Sequence, residues 1–181
     1  MKKYPWLIFA FVLLGAFLFV AAFGTVLNAV GPNTCGSGDG DMLAYLEETQ
    51  GNEPVFIKSG KGGRVSAIIY ERQDIGLCAA FFESRLFGLR LEYHGMIQLS
   101  EDGLGKAGSW NGAGFGSKCF FAVCGNNRSG SVGSYSLDEC PEVARSGLER
   151  DYILDIYILD GIEALPKGFR CFAPDGSEIV D

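Results

Sequence analysis

The stretch Leu86–Leu99 reads LFGLRLEYHGMIQL, and it has the clearest periodicity in the sequence. Apolar and polar side chains alternate along it, with Phe87, Leu89, Leu91, Tyr93, Ile97 and Leu99 in one set and Arg90, Glu92, His94 and Gln98 in the other. A period of two predicts a β-strand with one face on a core and the other in water. Gly95 interrupts the alternation and predicts a β-bulge.

The segments before this stretch extend the β-rich pattern. Pro54–Ser59 and Arg64–Glu71 are typical of two strands of a hairpin, joined by a loose, glycine-rich loop at 60–63. Ile75–Glu83 is continuously apolar up to its last residue, which predicts a strand buried on both faces.

The segments after it alternate between strand and loop signals. Residues 101–116 contain six glycines and predict a long loop. A strand is expected at 117–124, and another at 151–160, where Tyr152, Leu154, Ile156 and Ile158 share one face. Residues 168–180 predict a hairpin that turns at Pro174-Asp175-Gly176.

Two segments carry helix signals. Asp41–Gln50 begins with a capping residue and places three apolar side chains on one face, namely Met42, Leu43 and Leu46. In the segment 136–147, Ser136 and Glu139 fit a capping box. About seven strands and two short helices predict an α+β domain of mostly antiparallel β-sheet, placed after one N-terminal transmembrane helix.

The N-terminal segment Trp6–Val30 has no ionisable side chain. As a helix it would be about 37 Å long, enough to cross a hydrocarbon core of about 30 Å. Lys2 and Lys3 precede it, and basic residues favour the cytoplasmic side. Residues 1–5 are therefore expected in the cytoplasm, residues 6–30 as a signal anchor in the cell membrane, and the rest of the chain outside.

A cleaved signal peptide is the alternative, because the small residues before Phe23 allow cleavage near Ala22 and secretion of the remainder. In either case the segment 31–40, GPNTCGSGDG, resembles a flexible tether. Residues 41–181 then form an extracytoplasmic β-rich domain.

Charge excludes one class of partner. Residues 31–181 carry 13 Lys and Arg and 22 Asp and Glu, a formal charge of −9. Nucleic-acid binding relies on basic side chains that neutralise phosphates, so no nucleic-acid partner is expected. The expected partners are the membrane itself and a protein or a carbohydrate at the cell surface.

All six cysteines follow the apolar segment: Cys35, Cys78, Cys119, Cys124, Cys140 and Cys171. An even number on the extracellular side predicts a disulfide framework, although buried free thiols remain an alternative. On a continuous strand, Cys119 and Cys124 point to opposite faces and lie too far apart to pair. The spacing disfavours zinc, because His94 is the only histidine and no Cys-x-x-Cys pair exists.

No catalytic constellation is visible, so we expect a non-enzymatic binding or interaction domain with no cofactor and no metal. Its candidate binding residues lie in the glycine-rich segment: Trp110, Asn111 and Phe115. A lid on the core is the other interpretation of Trp110. The alternative function is a hydrolase of wall or surface polysaccharide that uses paired carboxylates, with Glu149, Asp151, Asp155 and Asp160 as the acidic candidates.

Overall fold

The computed structural model describes residues 12–22, 24, 31–51, 53–111, 118–160 and 164–180. Residues 12–22 form helix α1, and its large apolar side chains are more than half exposed. Within the described residues, no helix combines the length and the hydropathy that crossing a membrane requires. The predicted transmembrane helix at 6–30 lies partly outside these residues, and the predicted cytoplasmic segment 1–5 lies wholly outside them.

Beyond α1, the described residues form one further α-helix, a short 3-10 helix at Leu86–Gly88 and twelve strands. The helix is α2 (Asp39–Gln50), and the strands are β1 (Thr34–Cys35), β2 (Val55–Gly62), β3 (Val65–Arg72), β4 (Gly76–Arg85), β5 (Arg90–Gln98), β6 (Gly103–Asn111), β7 (Lys118–Asn126), β8 (Ser134–Leu137), β9 (Ala144–Ser146), β10 (Tyr152–Asp160), β11 (Phe169–Phe172) and β12 (Glu178–Ile179). The α+β class and the mostly antiparallel sheet are confirmed.

The strands form three sheets in which every neighbouring pair is antiparallel. The first sheet has the order β1-β5-β4-β3-β2, the second β10-β7-β6 and the third β12-β11-β8-β9. The segment predicted as a tether belongs to this fold, because β1 pairs with β5 and α2 begins at Asp39.

Helix α2 covers one face of the first sheet. Met42 and Leu46 are buried against Ile68, Tyr70 and Phe82 from the sheet. The predicted helix at 41–50 is thus confirmed, but its cap differs. Asp41 lies inside the first turn, where its carboxylate accepts a hydrogen bond of 3.1 Å from the Gly38 amide.

The other face of the first sheet packs on the second sheet. Ala67, Ile69 and Phe81 meet Ala122 and Cys124 in this inter-sheet core. Strands β3 and β4 are therefore buried on both faces, which the continuously apolar sequence of β4 predicts.

Strand β2 lies very close to β10, and glycine makes this possible. A Cβ atom on Gly62 would lie 2.6 Å from the Ile156 carbonyl oxygen. The predicted loose loop at 60–63 is wrong for this reason, since β2 continues to Gly62 and only Gly63 and Arg64 separate it from β3.

The second sheet also packs on the third, through Phe121, Tyr135 and Leu137 among others. The Tyr135 hydroxyl donates to Asp155 at 2.6 Å and lies 2.6 Å from the Tyr157 hydroxyl. Burial is the main reason that the pKa of Tyr135 lies far above its ordinary value, and these two contacts raise that pKa further. The third sheet is thus held to β10 by a polar network as well as by apolar packing.

The helix predicted over 136–147 is wrong, because this segment forms β8, a turn and β9. Tyr135 and Leu137 alternate into the core between the second and third sheets, and the burial of two large side chains outweighs a local capping signal. The prediction at 151–160 is confirmed, as is the final hairpin with its turn at Pro174-Asp175-Gly176.

The bulge predicted at Gly95 is confirmed, but the single core face around it is wrong. Phe87 and Leu89 are exposed, because they precede β5 at the tip of its hairpin with β4. The bulge changes the face of the strand, so Tyr93 packs on the α2 side while Ile97 packs between the sheets.

The loop predicted at 101–116 is also wrong over its first part, which forms β6. Of the glycines in β6, Gly108 lies where the fold leaves no room for a side chain, and the facing strand β7 is equally tight at Gly125. A Cβ atom on Gly125 would overlap the Gly103 carbonyl oxygen.

Gly125→Ala is therefore expected to lower the free energy of unfolding by about 1–3 kcal/mol, since the new methyl group forces β6 and β7 apart. Urea denaturation measures this loss. The matched control is Gly40→Ala in α2, where no atom lies within 4 Å of the new Cβ and a gain of about 0.5–1 kcal/mol is expected. A Gly125→Ala variant as stable as Gly40→Ala would contradict the pairing of β6 with β7.

Candidate functional site

A groove of about 610 Å³ opens between the first and second sheets, beside β5 and β6. Apolar side chains form most of its lining, including Phe81, Ile97, Ala107, Phe120 and Leu165. Three side chains bring basic groups to it, namely His94, Lys106 and Lys167. Both lysines are exposed and therefore belong to the rim of the groove.

The sequence builds this groove from packed aromatic rings and missing side chains. Phe81 of β4 and Phe120 of β7 join the two sheets, with ring centroids 5.6 Å apart. Gly108 of β6 admits the segment after β10, because a Cβ there would lie 2.6 Å from the Leu165 side chain. A larger residue at position 108 would push this wall outward.

A cluster of charged side chains adjoins the groove, and we call Glu83, Glu92, His94 and Arg85 the Glu–His cluster. Glu83 on β4 lies directly opposite Glu92 on β5 in the strand register. His94 is the extra residue of the bulge, and its Nε2 lies 3.0 Å from Glu83 Oε2. Since His94 also lines the groove, it joins the two features.

Two carboxylates facing each other across a strand pair repel, so this arrangement needs compensating charge. Arg85 supplies it, with its guanidinium 2.6 Å from Glu92 and 3.6 Å from Glu83. Glu83 is the most buried member, with a side chain only 8% exposed. Its Oε1 atom is buried and has no hydrogen-bond partner among the described residues. An unsatisfied carboxylate oxygen is costly and rare in native proteins, which makes Glu83 unusual.

The cluster has the donor types of a metal site. One imidazole nitrogen and two carboxylate oxygens, from His94, Glu83 and Glu92, lie within 4.8 Å of one another. The sequence places His94 on a solvated strand face, and its side chain is in fact 31% exposed. Its approach to Glu83 was not predicted, because it depends on the pairing of β4 with β5. The available signal was Glu92 and His94 two residues apart on one strand.

The predicted binding residues lie at the end of β6 or beyond it. Trp110 and Asn111 are its last two residues, paired with Cys119 and Lys118 of β7. They follow Gly108, which lines the groove. Phe115 lies outside the described residues.

Two of the acidic candidates for hydrolysis, Asp151 and Asp155, are separated by the fold. Asp151 binds Lys58 of β2 at 2.6 Å, and this hydrogen bond lowers the pKa of Asp151. Asp155 instead faces the third sheet, where it accepts from Arg145 at 2.7 Å and from Tyr135. These two carboxylates therefore have partners on different sides of β10 and do not form a pair.

The predicted disulfide framework does not occur in the structure: the described residues include all six cysteines, and no disulfide joins any of them. Cys119 and Cys124 lie on the continuous strand β7 and face different cores, as predicted. Cys35 and Cys78 share one core but lie at different ends of β5. Cys35 is across from Leu91 and Cys78 is across from Gln98, and these two positions are roughly 20 Å apart along the strand.

The remaining two cysteines, Cys140 and Cys171, belong to the same core as Cys119, between the second and third sheets. Burial, helped by the charge of Cys140, raises the pKa of Cys119. Of the six cysteines, these three share the core between the second and third sheets.

Comparisons with known proteins give no further guide to this site. No family model matches the chain, and neither the curated proteins nor the solved structures contain a match to it.

Proposed function

We propose that this chain is a non-enzymatic binding protein whose ligand site is the groove between the first and second sheets. The observation that carries the proposal is the combination of an apolar lining with Lys106, Lys167 and His94. Ligand sites are typically concave and mostly apolar, with a few polar groups that orient the ligand.

The lining favours an apolar ligand with an acidic group, such as a fatty acid. Phe81, Phe120 and Ile97 offer an apolar surface to an acyl chain. Lys106 and Lys167 offer ammonium groups to a carboxylate, although residues 31–181 carry a formal charge of −9. The sequence also suggests a protein or a carbohydrate partner at the cell surface. We propose that such a partner would contact Trp110 and Asn111 at the end of β6.

The N-terminal segment supports a position at the membrane. Trp6–Val30 has no ionisable side chain, and the described helix α1 within it exposes large apolar side chains. We propose that this segment anchors the chain, with the β-rich domain outside the cell. Retention in membranes after an alkaline wash supports the anchor, and a soluble mature chain that begins near Phe23 supports secretion instead.

An extracellular position implies disulfides, and the fold restricts which cysteines form them. We expect any bridge to join two of Cys119, Cys140 and Cys171, whereas Cys124 stays a thiol in the core between the first and second sheets. Alkylation of the denatured, unreduced chain followed by peptide mass spectrometry identifies both states. A bridge that contains Cys124 would contradict the assignment of β7 residues to opposite faces.

A polysaccharide hydrolase is the second candidate, favoured by the close carboxylates of Glu83 and Glu92. Arg85 and His94 engage these carboxylates, so binding is the better supported function. Hydrolysis of a wall polysaccharide by the wild type and its loss in Glu83→Gln would favour the hydrolase.

Photo-crosslinking tests the binding proposal. The full chain, in nanodiscs of neutral lipid, is exposed to a fatty acid that carries a diazirine near the end of its chain. We expect label on β5 and β6. The double variant Lys106→Glu, Lys167→Glu is expected to reduce this labelling at least about tenfold. Each reversed charge costs about 1 kcal/mol of binding free energy at a solvated distance of a few Å.

The controls separate charge from shape. Lys61→Glu reverses an exposed lysine on β2, at the opposite edge of the first sheet, and is expected to leave the labelling unchanged. Ala107→Phe fills the groove and is expected to remove the label. Equal labelling of β5 and β6 in Ala107→Phe, or equal labelling by an alkylamine of the same length, would overturn the proposal.

A further inference from the structure

We propose that Glu83, Glu92 and His94 bind a divalent transition-metal ion of the Zn²⁺ or Co²⁺ type. The cysteine spacing and the number of histidines in the sequence predict no metal site. The pairing of β4 with β5, which those patterns do not reveal, brings two carboxylates and one imidazole close together. This site shares His94 with the groove, but its test uses no groove ligand.

The distances suit direct ligation. Zn²⁺ binds imidazole nitrogen at about 2.0–2.1 Å and carboxylate oxygen at about 2.0–2.2 Å, so its ligand atoms lie roughly 3–3.5 Å apart. His94 Nε2 and Glu83 Oε2 are already 3.0 Å apart. All three ligand atoms lie within 4.8 Å of one another. A small rotation of the partly exposed Glu92 side chain is enough to complete the set.

The unsatisfied oxygen of Glu83 is the independent observation that points to a ligand. The Glu83 side chain is more than nine-tenths buried, and its Oε1 has no hydrogen-bond partner among the described residues. Buried carboxylates normally have every oxygen bound to a donor or to a cation. In this site Glu83 binds the ion through both carboxylate oxygens, which gives Oε1 the partner that it lacks while Oε2 stays beside His94.

The donor set also selects the kind of ion. A site made only of oxygens suits Mg²⁺ and Ca²⁺, whereas imidazole favours ions such as Zn²⁺ and Co²⁺. Three protein ligands leave at least one coordination position for water or for a bound molecule.

Arg85 competes with the metal in this arrangement. Its guanidinium lies 2.6 Å from Glu92 and 3.6 Å from Glu83, so it neutralises the same two carboxylates. A bound divalent ion displaces this guanidinium towards solvent, where the half-exposed Arg85 side chain has room. Removing Arg85 is therefore expected to tighten metal binding, the opposite of what a purely structural ion-pair network predicts.

A Co²⁺ titration tests the site. The full chain, without a histidine tag and in a neutral detergent, is titrated with Co²⁺ while the visible absorption is recorded. We expect one saturable equivalent with the weak d–d bands of nitrogen and oxygen ligands. Glu83→Gln and His94→Gln are each expected to weaken binding at least about tenfold. Arg85→Gln is expected to tighten it several-fold.

The control is Asp74→Asn, which removes a carboxylate paired with Arg72 at 2.6 Å outside the cluster. Its Co²⁺ affinity is expected to equal that of the wild type. An intense near-ultraviolet thiolate band would assign the metal to cysteines and overturn the proposal. The proposal also fails if His94→Gln binds as tightly as the wild type, or if neither the wild type nor Arg85→Gln shows saturable binding.

Discussion

Phe82→Ala is expected to lower the free energy of unfolding by about 3–5 kcal/mol, as is typical when a buried phenylalanine is removed. Phe82 is 1% exposed on β4 and packs edge-on against Tyr45 of α2, with ring centroids 6.1 Å apart. It also contacts Tyr93 of β5, at 5.5 Å. The loss therefore weakens the attachment of α2 to the first sheet as well as the sheet itself. Urea denaturation at neutral pH measures it.

Phe87→Ala is the matched control, because the sequence predicts Phe87 on the core face and the structure exposes it fully. Its expected effect is within about 0.5 kcal/mol. Comparable losses from Phe82→Ala and Phe87→Ala would contradict the hairpin of β4 and β5, and with it the position of the Glu–His cluster.

The second large effect is a loss of stability at alkaline pH. Burial raises the pKa of Tyr70 and of Cys124 to about 12, and burial with the nearby Asp41 carboxylate raises the pKa of Cys35 to about 11. In the unfolded chain, cysteine titrates at about 8.5 and tyrosine at about 10. The folded state therefore binds more protons at high pH. Its stability is complete below about pH 8.5 and falls progressively as the pH rises towards 12.

Denaturation in urea at several pH values between 8 and 11, with a reductant present, measures this slope. Cys124→Ala removes one of the buried acids and is expected to make the slope shallower. A free energy of unfolding that stays constant between pH 9 and pH 11 would show that these groups are exposed and would contradict the placement of the cores.

Local sequence patterns correctly predict those strands in which packing against other elements leaves the apolar pattern of the strand unbroken. Continuous apolarity predicts the double burial of β4, and alternation predicts the faces of β10. The turn at Pro174-Asp175-Gly176 is equally local, since Asp175 accepts from the Ser177 amide at 2.9 Å. These features depend on a few adjacent residues, so the sequence is enough to find them.

Tertiary packing decides the elements that the sequence misses. Glycines at 60–63 and in β6 resemble loop residues. Gly62 and Gly108 nevertheless occur in strands, because another segment of the same chain approaches each of them closely. The capping signal at 136–147 yields to the burial of Leu137. A local stretch of sequence does not reveal how closely a strand that is distant in the sequence will pack against it.

The candidate site is hidden for the same reason. Glu83 and His94 are eleven residues apart and meet only through the register of β4 and β5 and the bulge at Gly95. The groove requires the packing of Phe81 on Phe120 across two sheets. Trp110, the candidate that the sequence does offer, lies two residues after Gly108, the last residue of β6 that lines this groove.

Binding of an apolar ligand with an acidic group in the groove beside His94 can be measured directly, because this chain has a single histidine. In a full chain labelled only at histidine, the ring resonances of His94 are followed by NMR while octanoate is added, with octylamine as the control. We expect a saturable shift with octanoate that disappears in Ala107→Phe. A His94 ring that shifts no more with octanoate than with octylamine would contradict binding in this groove.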